Sequence, residues 1–205
     1  MRLYSAPRAP SPRRVTLFMG EKAIADIEVL ELHLLQGEQR HQDFRDRNPL
    51  ARVPALELDD GRVLTESRAI CTYLEGQYPE PNLMGRTTED SAFIEMWDRR
   101  IEWHLLFPAS MWGKHSLPML AAVEQPQLPE YAKVQEGRFR EFATWLNTEL
   151  ATRPFISGER FTIADITAFV TLEFARHLHF IPGESGLPHL QRWLDAVAGR
   201  RAFSR

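Results

Sequence analysis

Two pairs of adjacent residues in the first half of the chain have the chemistry to bind an extended, charged ligand. Val53-Pro54 opens a strand pattern, where the proline is either an ordinary trans residue or a candidate cis bond. A cis bond would leave the Val53 backbone open to pair with an extended ligand, as an added strand would. Glu66-Ser67 begins a helical pattern, where Ser67 and the free amides suit a carboxylate and Glu66 suits an ammonium group. A plain helix cap is the alternative for this second pair.

Both pairs belong to an N-terminal segment, residues 1–79, in which strand and helix patterns alternate. Arg2-Leu3-Tyr4 and Ile27-Glu28-Val29 predict strands on either side of an amphipathic helix. A predicted hairpin over 53–64 and a helix that stops at Pro79 complete the segment. The predicted inward faces comprise Val15, Phe18, Met19 and Lys22 in the first helix, and Ile70, Tyr73, Leu74 and Gln77 in the second.

The rest of the chain shows helical periodicity almost throughout. Helices are predicted over 92–106, 131–150, 163–177 and 190–197. The composition changes near Pro79, so we place the domain boundary there. The apolar positions of the first two helices are Phe93, Met96, Trp97, Ile101 and Leu105, then Val134, Phe142, Trp145, Leu146 and Leu150. The predicted domains are an α/β domain over 1–79, a linker over 80–87 and an all-helical domain over 88–205.

One helix start is marked by a capping-box pattern, Thr162-Ile163-Ala164-Asp165. The Thr162 hydroxyl can accept from the first free amides, and the Asp165 side chain, three residues on, can reach back. We therefore expect Asp165 to be structural.

Composition and charge narrow the class of protein. The chain has 205 residues, 43% of them hydrophobic, and 25 Lys and Arg against 28 Asp and Glu give a net charge of −3. This balance argues against a general nucleic-acid binder. A single cysteine, Cys71, forms no internal disulfide, and no Cys/His spacing predicts a metal site. With neither a secretory signal nor an apolar run long enough to span a membrane, we expect a cytoplasmic protein.

Four segments carry a resemblance to a known family. They are Asn48 to Leu56, Leu64 to Ile70, Ser157 to Asp165, and Leu187-Pro188-His189-Leu190 with Trp193 after it. In this order they resemble the cytosolic glutathione S-transferase superfamily, and we expect a bacterial member with phi-like, delta-like or nu-like features. The resemblance extends over the whole chain and implies a thioredoxin-like N-terminal domain followed by an all-helical C-terminal domain.

The resemblance also implies glutathione as the co-substrate of the N-terminal domain. It makes Val53-Pro54 the family's cis-proline site, with Val53 main-chain groups pairing with the cysteinyl part of glutathione, and it makes Glu66 and Ser67 the γ-glutamyl contacts. The glycyl carboxylate needs cations or amide donors. The candidates for that end are Gln39, Arg40 and Arg52, although a solvated loop is the alternative for Arg40.

The catalytic position departs from part of the family. Glutathione must react as a thiolate, which donors near the sulfur favour. Aligned on Arg13-Arg14-Val15, the serine position of phi-like and delta-like members is Ala9, which has no donor. Ser11 stands where nu-like members carry a sulfur-contacting asparagine, so Ser11 is the predicted catalytic residue. Ser5 and the backbone amides of the helix start are the alternatives, and Tyr4 lies too early.

The second substrate is expected to meet aromatic and methionine side chains of the helical domain, which suit a plastic apolar pocket. These residues are Trp103, Phe107, Met111 and Trp112. The same residue types equally suit a helical core, and for Trp103 the core is the favoured interpretation. His104 and His115 could assist the chemistry, although a lone histidine in a helix is more often structural.

The expected function is conjugation of glutathione to a small apolar electrophile by a homodimer. The first alternative is a glutathione-dependent disulfide or peroxide reductase, and the second is a non-catalytic glutathione-binding module with the same fold.

Overall fold

The computed structural model describes residues 1–203, which form two compact units. The first is Met1–Pro81, and the second starts at Asn82. A four-stranded mixed sheet characterises the first unit and helices dominate the second. The predicted class, a thioredoxin-like domain followed by an all-helical domain, is confirmed. The break after Pro81 lies inside the segment 80–87 expected as a linker.

The sheet of the first unit has the order β2-β1-β3-β4. Strand β1 is parallel to β2 and antiparallel to β3, and β3 is antiparallel to β4. Leu3 of β1 and Leu56 of β3, in the two central strands, are completely buried. The strands are β1 (Arg2–Ser5), β2 (Glu28–Glu31), β3 (Ala55–Glu57) and β4 (Val63–Thr65).

Three α-helices accompany the sheet. Helix α1 buries Val15, Phe18 and Met19, as its apolar spacing predicts, and it ends just before Lys22, whose side chain is also buried. The helices are α1 (Pro10–Glu21), α2 (Gln42–Arg45) and α3 (Ser67–Gln77), with 3₁₀ turns at Leu34–Gln36 and Glu38–Arg40.

Five α-helices occur in the described part of the second unit, residues 82–203. They are α4 (Thr88–Ile101), α5 (Phe107–Ser116), α6 (Pro129–Glu149), α7 (Ile163–Ala175) and α8 (Pro188–Ala198). A π-helical turn, Glu102–Leu106, joins α4 to α5, so the helix predicted over 92–106 continues to Ser116 and changes its hydrogen-bond pattern on the way. Shorter 3₁₀ segments occupy Pro118–Ala122 and Arg176–Leu178. Among residues 1–203, none of the helices is both long and apolar enough to cross a membrane.

The buried face of α6 agrees with the sequence pattern only in part, since Leu146 and Leu150 are completely buried. The predicted inward residues Val134 and Trp145 are exposed, whereas Ala132, Phe139 and Ala143 are buried. The Trp145 ring stacks on Trp97 of α4 at 5.6 Å between centroids. Large apolar residues occur on two sides of this helix, and small residues take the tight side.

The start of α7 confirms the capping box. Thr162 and Asp165 exchange the two hydrogen bonds of that motif. Asp165 also accepts from the Ile156 amide at 2.9 Å and from Nε1 of Trp193 in α8 at 2.8 Å. This buried carboxyl therefore links the start of α7 both to the segment that precedes α7 and to helix α8.

Candidate functional site

Three chain segments meet at one end of the sheet because of the strand register. Tyr4 of β1 faces Ala55 of β3, and Ala55 faces Thr65 of β4. Continuing this register by one residue places the end of β1 beside Val53-Pro54, and Val53-Pro54 beside Glu66-Ser67. The loop from β1 to α1 starts at the same end. The sheet therefore brings together residues that lie far apart in the sequence.

The peptide bond between Val53 and Pro54 is cis. Asn48, which is buried, shapes the loop before it: its Nδ2 donates to the Arg52 carbonyl at 2.7 Å, and its Oδ1 accepts from the Leu50 amide at 3.2 Å. These two bonds fix the backbone that presents Val53. The motif Asn48-Pro49 contains this anchor, but a positioning role for the amide was not predicted.

Glu66 and Ser67 sit at the start of α3 in two different settings. Glu66 is exposed and has φ +65°, a left-handed backbone angle that a non-glycine residue rarely adopts. The Ser67 side chain is buried, and its Oγ accepts from Nη1 of Arg14 at 3.1 Å. Arg14 belongs to α1 and is completely buried, and its place here was not predicted. Arg13 and Arg14 are adjacent in α1, and the sequence gives no signal that the second of them is buried.

Ser11 is the second residue of α1 and is half-buried. Pro10 and Pro12 on either side of it have no N–H group. The amide of Ala9, the N-cap residue, donates to the Ala6 carbonyl, and no side chain caps the helix. The first turn therefore presents one main-chain donor, the Ser11 amide, beside the Ser11 hydroxyl, at the positive end of the helix dipole.

The other two hydroxyls near this end are placed differently. Ser5 ends β1 and is buried. The Tyr4 hydroxyl donates to Oε2 of Glu57 at 2.7 Å. Burial and this hydrogen bond raise the pKa of Tyr4, and the same bond lowers the pKa of Glu57. The Tyr4 hydroxyl is therefore engaged by Glu57. The Tyr4 ring packs next to Phe44, at 5.4 Å between ring centroids.

The three residues predicted to bind the glycyl carboxylate differ in their exposure to solvent. Gln39 is buried, and its Nε2 donates to the Leu34 carbonyl at 3.3 Å, so its donor side serves the local turn. Arg40 and Arg52 are both exposed. Arg52 directly precedes Val53, which places a guanidinium on the same loop as the cis bond.

The residues predicted for the second-substrate pocket lie on the π turn and α5. Trp103 is 60% exposed and Phe107 is 39% exposed, with 6.0 Å between their ring centroids. Met111 is half-buried. Trp112 is buried against Phe139 at 5.8 Å between centroids. This burial indicates that Trp112 packs in the core of the helical unit and does not line a substrate pocket.

The two histidines of this region have local partners. The ring of His104 stacks on that of Phe142 at 5.4 Å between centroids. Nδ1 of His115 accepts from the Leu128 amide at 3.2 Å, which ties α5 to the chain before α6. No group of three or more metal-binding side chains gathers anywhere in residues 1–203.

Comparison with known proteins gives matches to both units. Residues 3–82 match the family described as glutathione S-transferase, N-terminal domain, and residues 112–196 match its C-terminal domain. Glutathione S-transferase 2 of Saccharomyces cerevisiae is 33% identical over 177 residues, 85% of this chain and 76% of that protein. A glutathione S-transferase domain-containing protein from Marinobacter aquaeolei has a solved structure that is 35% identical, with a TM-score of 0.93 over 99% of this chain and 100% of that one. Elongation factor 1-gamma of Rattus norvegicus is 33% identical over 183 residues, 87% of this chain and 40% of that protein.

Proposed function

The chain belongs to the glutathione S-transferase family, and on that basis we propose that it activates the thiol of glutathione and adds the sulfur to a small apolar electrophile. The observation that carries the proposal is the meeting of the cis Val53-Pro54 bond, Glu66-Ser67 and the β1–α1 loop at one end of the sheet. A tripeptide with a free amino-acid end matches main-chain donors and acceptors beside a carboxylate and a hydroxyl.

Each part of glutathione has a proposed partner. The Val53 main chain pairs with the cysteinyl unit, as a short added strand would. Glu66 accepts from the γ-glutamyl ammonium, and Ser67 at the start of α3 donates to the γ-glutamyl carboxylate. Arg52 and Arg40 face the glycyl carboxylate, with Gln39 as a further contact.

Ser11 is proposed to stabilise the thiolate. A free thiol has a pKa of about 8.5, so few of its molecules are ionised at neutral pH. The Ser11 hydroxyl and amide, at the start of α1, favour the charged form. The thiol then gives its proton to solvent, its sulfur forms a carbon–sulfur bond, and the leaving group departs with the bonding electron pair.

The second substrate is proposed to contact exposed apolar side chains of the helical unit, Trp103, Phe107 and Met111. These rings and the thioether suit apolar bodies of varied shape. We expect the protein to act as a homodimer, and we expect it in the cytoplasm, where glutathione is kept reduced.

Calorimetry with glutathione tests the binding part of the proposal. The variant carrying both Glu66→Ala and Ser67→Ala should bind at least about tenfold more weakly, because it loses charge-assisted hydrogen bonds. Arg62→Ala is the matched control on the same hairpin, since its exposed ion pair with Asp60 lies at the other end of β4. Equal affinities of the double variant and the parent would show that this end of the ligand is wrongly assigned.

Two findings, one in the sequence and one among the relatives, favour a second candidate function, glutathione binding without turnover. The Ala9 position has no hydroxyl, and one relative is named an elongation factor, not a transferase. Measuring conjugation of 1-chloro-2,4-dinitrobenzene beside the calorimetry separates the two. Binding with a rate equal to the uncatalysed reaction, for this and other electrophiles, would support the second candidate.

A further inference from the structure

We propose that Arg14 is a positioning residue that fixes the direction of the Ser67 hydroxyl toward the ligand. The inference rests on the proposed function, because Ser67 is the proposed γ-glutamyl contact. Arg14 is completely buried on α1, and its Nη1 lies 3.1 Å from Ser67 Oγ at the start of α3. The two residues are 53 positions apart in the sequence, so the contact depends on the packing of the two helices.

The direction follows from the chemistry of the two groups. A guanidinium has only N–H donors and stays protonated, whereas a serine hydroxyl has one proton and two lone pairs. Ser67 must therefore accept from Arg14, and its own proton remains available for another acceptor. A carboxylate at the start of α3 is an acceptor that this proton and the helix dipole both favour. The charge of Arg14, buried close by, adds to the attraction.

The position of Arg14 also links two parts of the proposed site. It lies three residues after Ser11 on α1, so one helix carries both the proposed thiolate donor and the group that orients the γ-glutamyl donor. The distance between these two donors is then set by the packing of α1 on α3. A change at Arg14 should weaken recognition of the γ-glutamyl carboxylate more than it changes the chemistry at sulfur.

Binding of S-methylglutathione, which cannot react, tests the proposal in two variants. Arg14→Met removes the donor, and Arg14→Lys keeps a cationic donor on a shorter, non-planar group. We expect the dissociation constant to rise about fivefold or more in Arg14→Met, the effect of one lost hydrogen bond, and less in Arg14→Lys. An analogue without the γ-glutamyl α-carboxylate should bind the parent and both variants equally. In turnover, the KM for glutathione should rise while kcat stays within about twofold.

Lys22→Met is the matched control, because Lys22 also joins α1 to α3 through a buried polar contact, at the far end of both helices. It should lower the melting temperature and leave the affinity of the folded protein for S-methylglutathione unchanged. Equal affinities of the parent, Arg14→Met and Arg14→Lys would overturn the positioning role even if glutathione binds. Loss of affinity for the decarboxylated analogue as well would also overturn it, since that result means general damage to the site. A parent that binds no glutathione would overturn the proposed function first and this inference with it.

Discussion

The ammonium of Lys22 lies 2.8 Å from Oε2 of Glu75, and the Lys22 side chain is 0% exposed. Its Nζ also donates to the carbonyls of Tyr78 at 2.7 Å and Pro81 at 2.8 Å, so three oxygen atoms surround the buried ammonium. The contact joins α1 to α3 about two helical turns beyond the Arg14–Ser67 hydrogen bond. A cation beside the last carbonyls of α3 also complements the helix dipole. Two buried polar contacts therefore join these helices, one near each end of α3.

Lys22→Met should destabilise the first unit by about 3 kcal/mol, because it removes one partner of a buried ion pair and leaves two carbonyls without a donor. Chemical denaturation followed by circular dichroism measures this. Arg2→Met is the control, since the Arg2–Glu28 pair is more than half exposed on both sides and should change stability by less than about 1 kcal/mol. Similar losses in the two variants would contradict the role of Lys22.

Asp165→Ala should lower the stability of the helical unit by about 3 kcal/mol, more than an ordinary cap. The substitution leaves three buried donors without an acceptor: the amides of Ile156 and Thr162 and the Trp193 indole N–H. Each unsatisfied buried donor costs about 1–3 kcal/mol. Turnover per folded molecule should stay nearly the same, as measured by rates normalised to active sites. Lost activity at unchanged stability would contradict the structural role.

The same carboxyl gives a prediction for the dependence of stability on pH. Burial raises the pKa of Asp165 from its ordinary value of 3.8 to about 6, although the hydrogen bonds from Ile156, Trp193 and Thr162 oppose the shift. The folded state therefore holds a proton that the unfolded chain releases, so this contribution is complete below pH 3.8 and is lost as the pH rises through about 6. The stability advantage of the parent over Asp165→Asn should shrink by up to about 3 kcal/mol between pH 4 and pH 8. An advantage that grows with pH would show that the donors outweigh burial.

The sequence predicts the fold class because local signals agree with each other. Alternation of strands and helices in the first part, helical periodicity in the second and the capping box before α7 all reappear in the structure. The cis bond at Val53-Pro54 is different in kind, because residue types alone favour a trans bond and the resemblance to the family supplied the expectation. Features that depend on neighbouring residues in the sequence can therefore be predicted from residue types and their spacing.

The features that the sequence did not predict depend on contacts between segments that are distant in the sequence. Arg14 is buried where α3 brings an acceptor to it, and a sequence shows only a charged residue in a helix. The apolar pattern of α6 groups Trp145 with Leu146 and Leu150, which are completely buried, but Trp145 itself is exposed and the small residue Ala143 is buried. Residue size and polarity do not reveal which side of a helix its neighbour approaches.

Ala9→Ser should stabilise the protein but should not increase activity. Ala9 is the N-cap of α1, has an extended backbone and makes no side-chain cap, so a serine there is a favourable cap worth about 0.5–2 kcal/mol. Since Pro10 and Pro12 have no N–H group, the new hydroxyl oxygen has only the Ser11 amide to accept from in the first turn. It would then compete with the thiolate for that donor. Denaturation and the rate with 1-chloro-2,4-dinitrobenzene check both parts, and a more active variant would show that a hydroxyl at position 9 supports the thiolate itself.

Ser11→Ala should raise the pKa of the thiol of bound glutathione by about one unit, equivalent to about 1.4 kcal/mol, because the hydroxyl donor is lost while the amide at position 11 remains. The rate at neutral pH should fall about tenfold, and most of the loss should be recovered at higher pH, where the thiol ionises without help. Ultraviolet titration of the bound thiolate measures the pKa directly. Ser5→Ala is the matched control, since Ser5 is buried at the end of β1 and should leave the titration unchanged. If the thiolate of Ser11→Ala titrates as in the parent and that of Ser5→Ala does not, the donor is Ser5; if neither variant shifts it, the main-chain amide of position 11 carries the role alone.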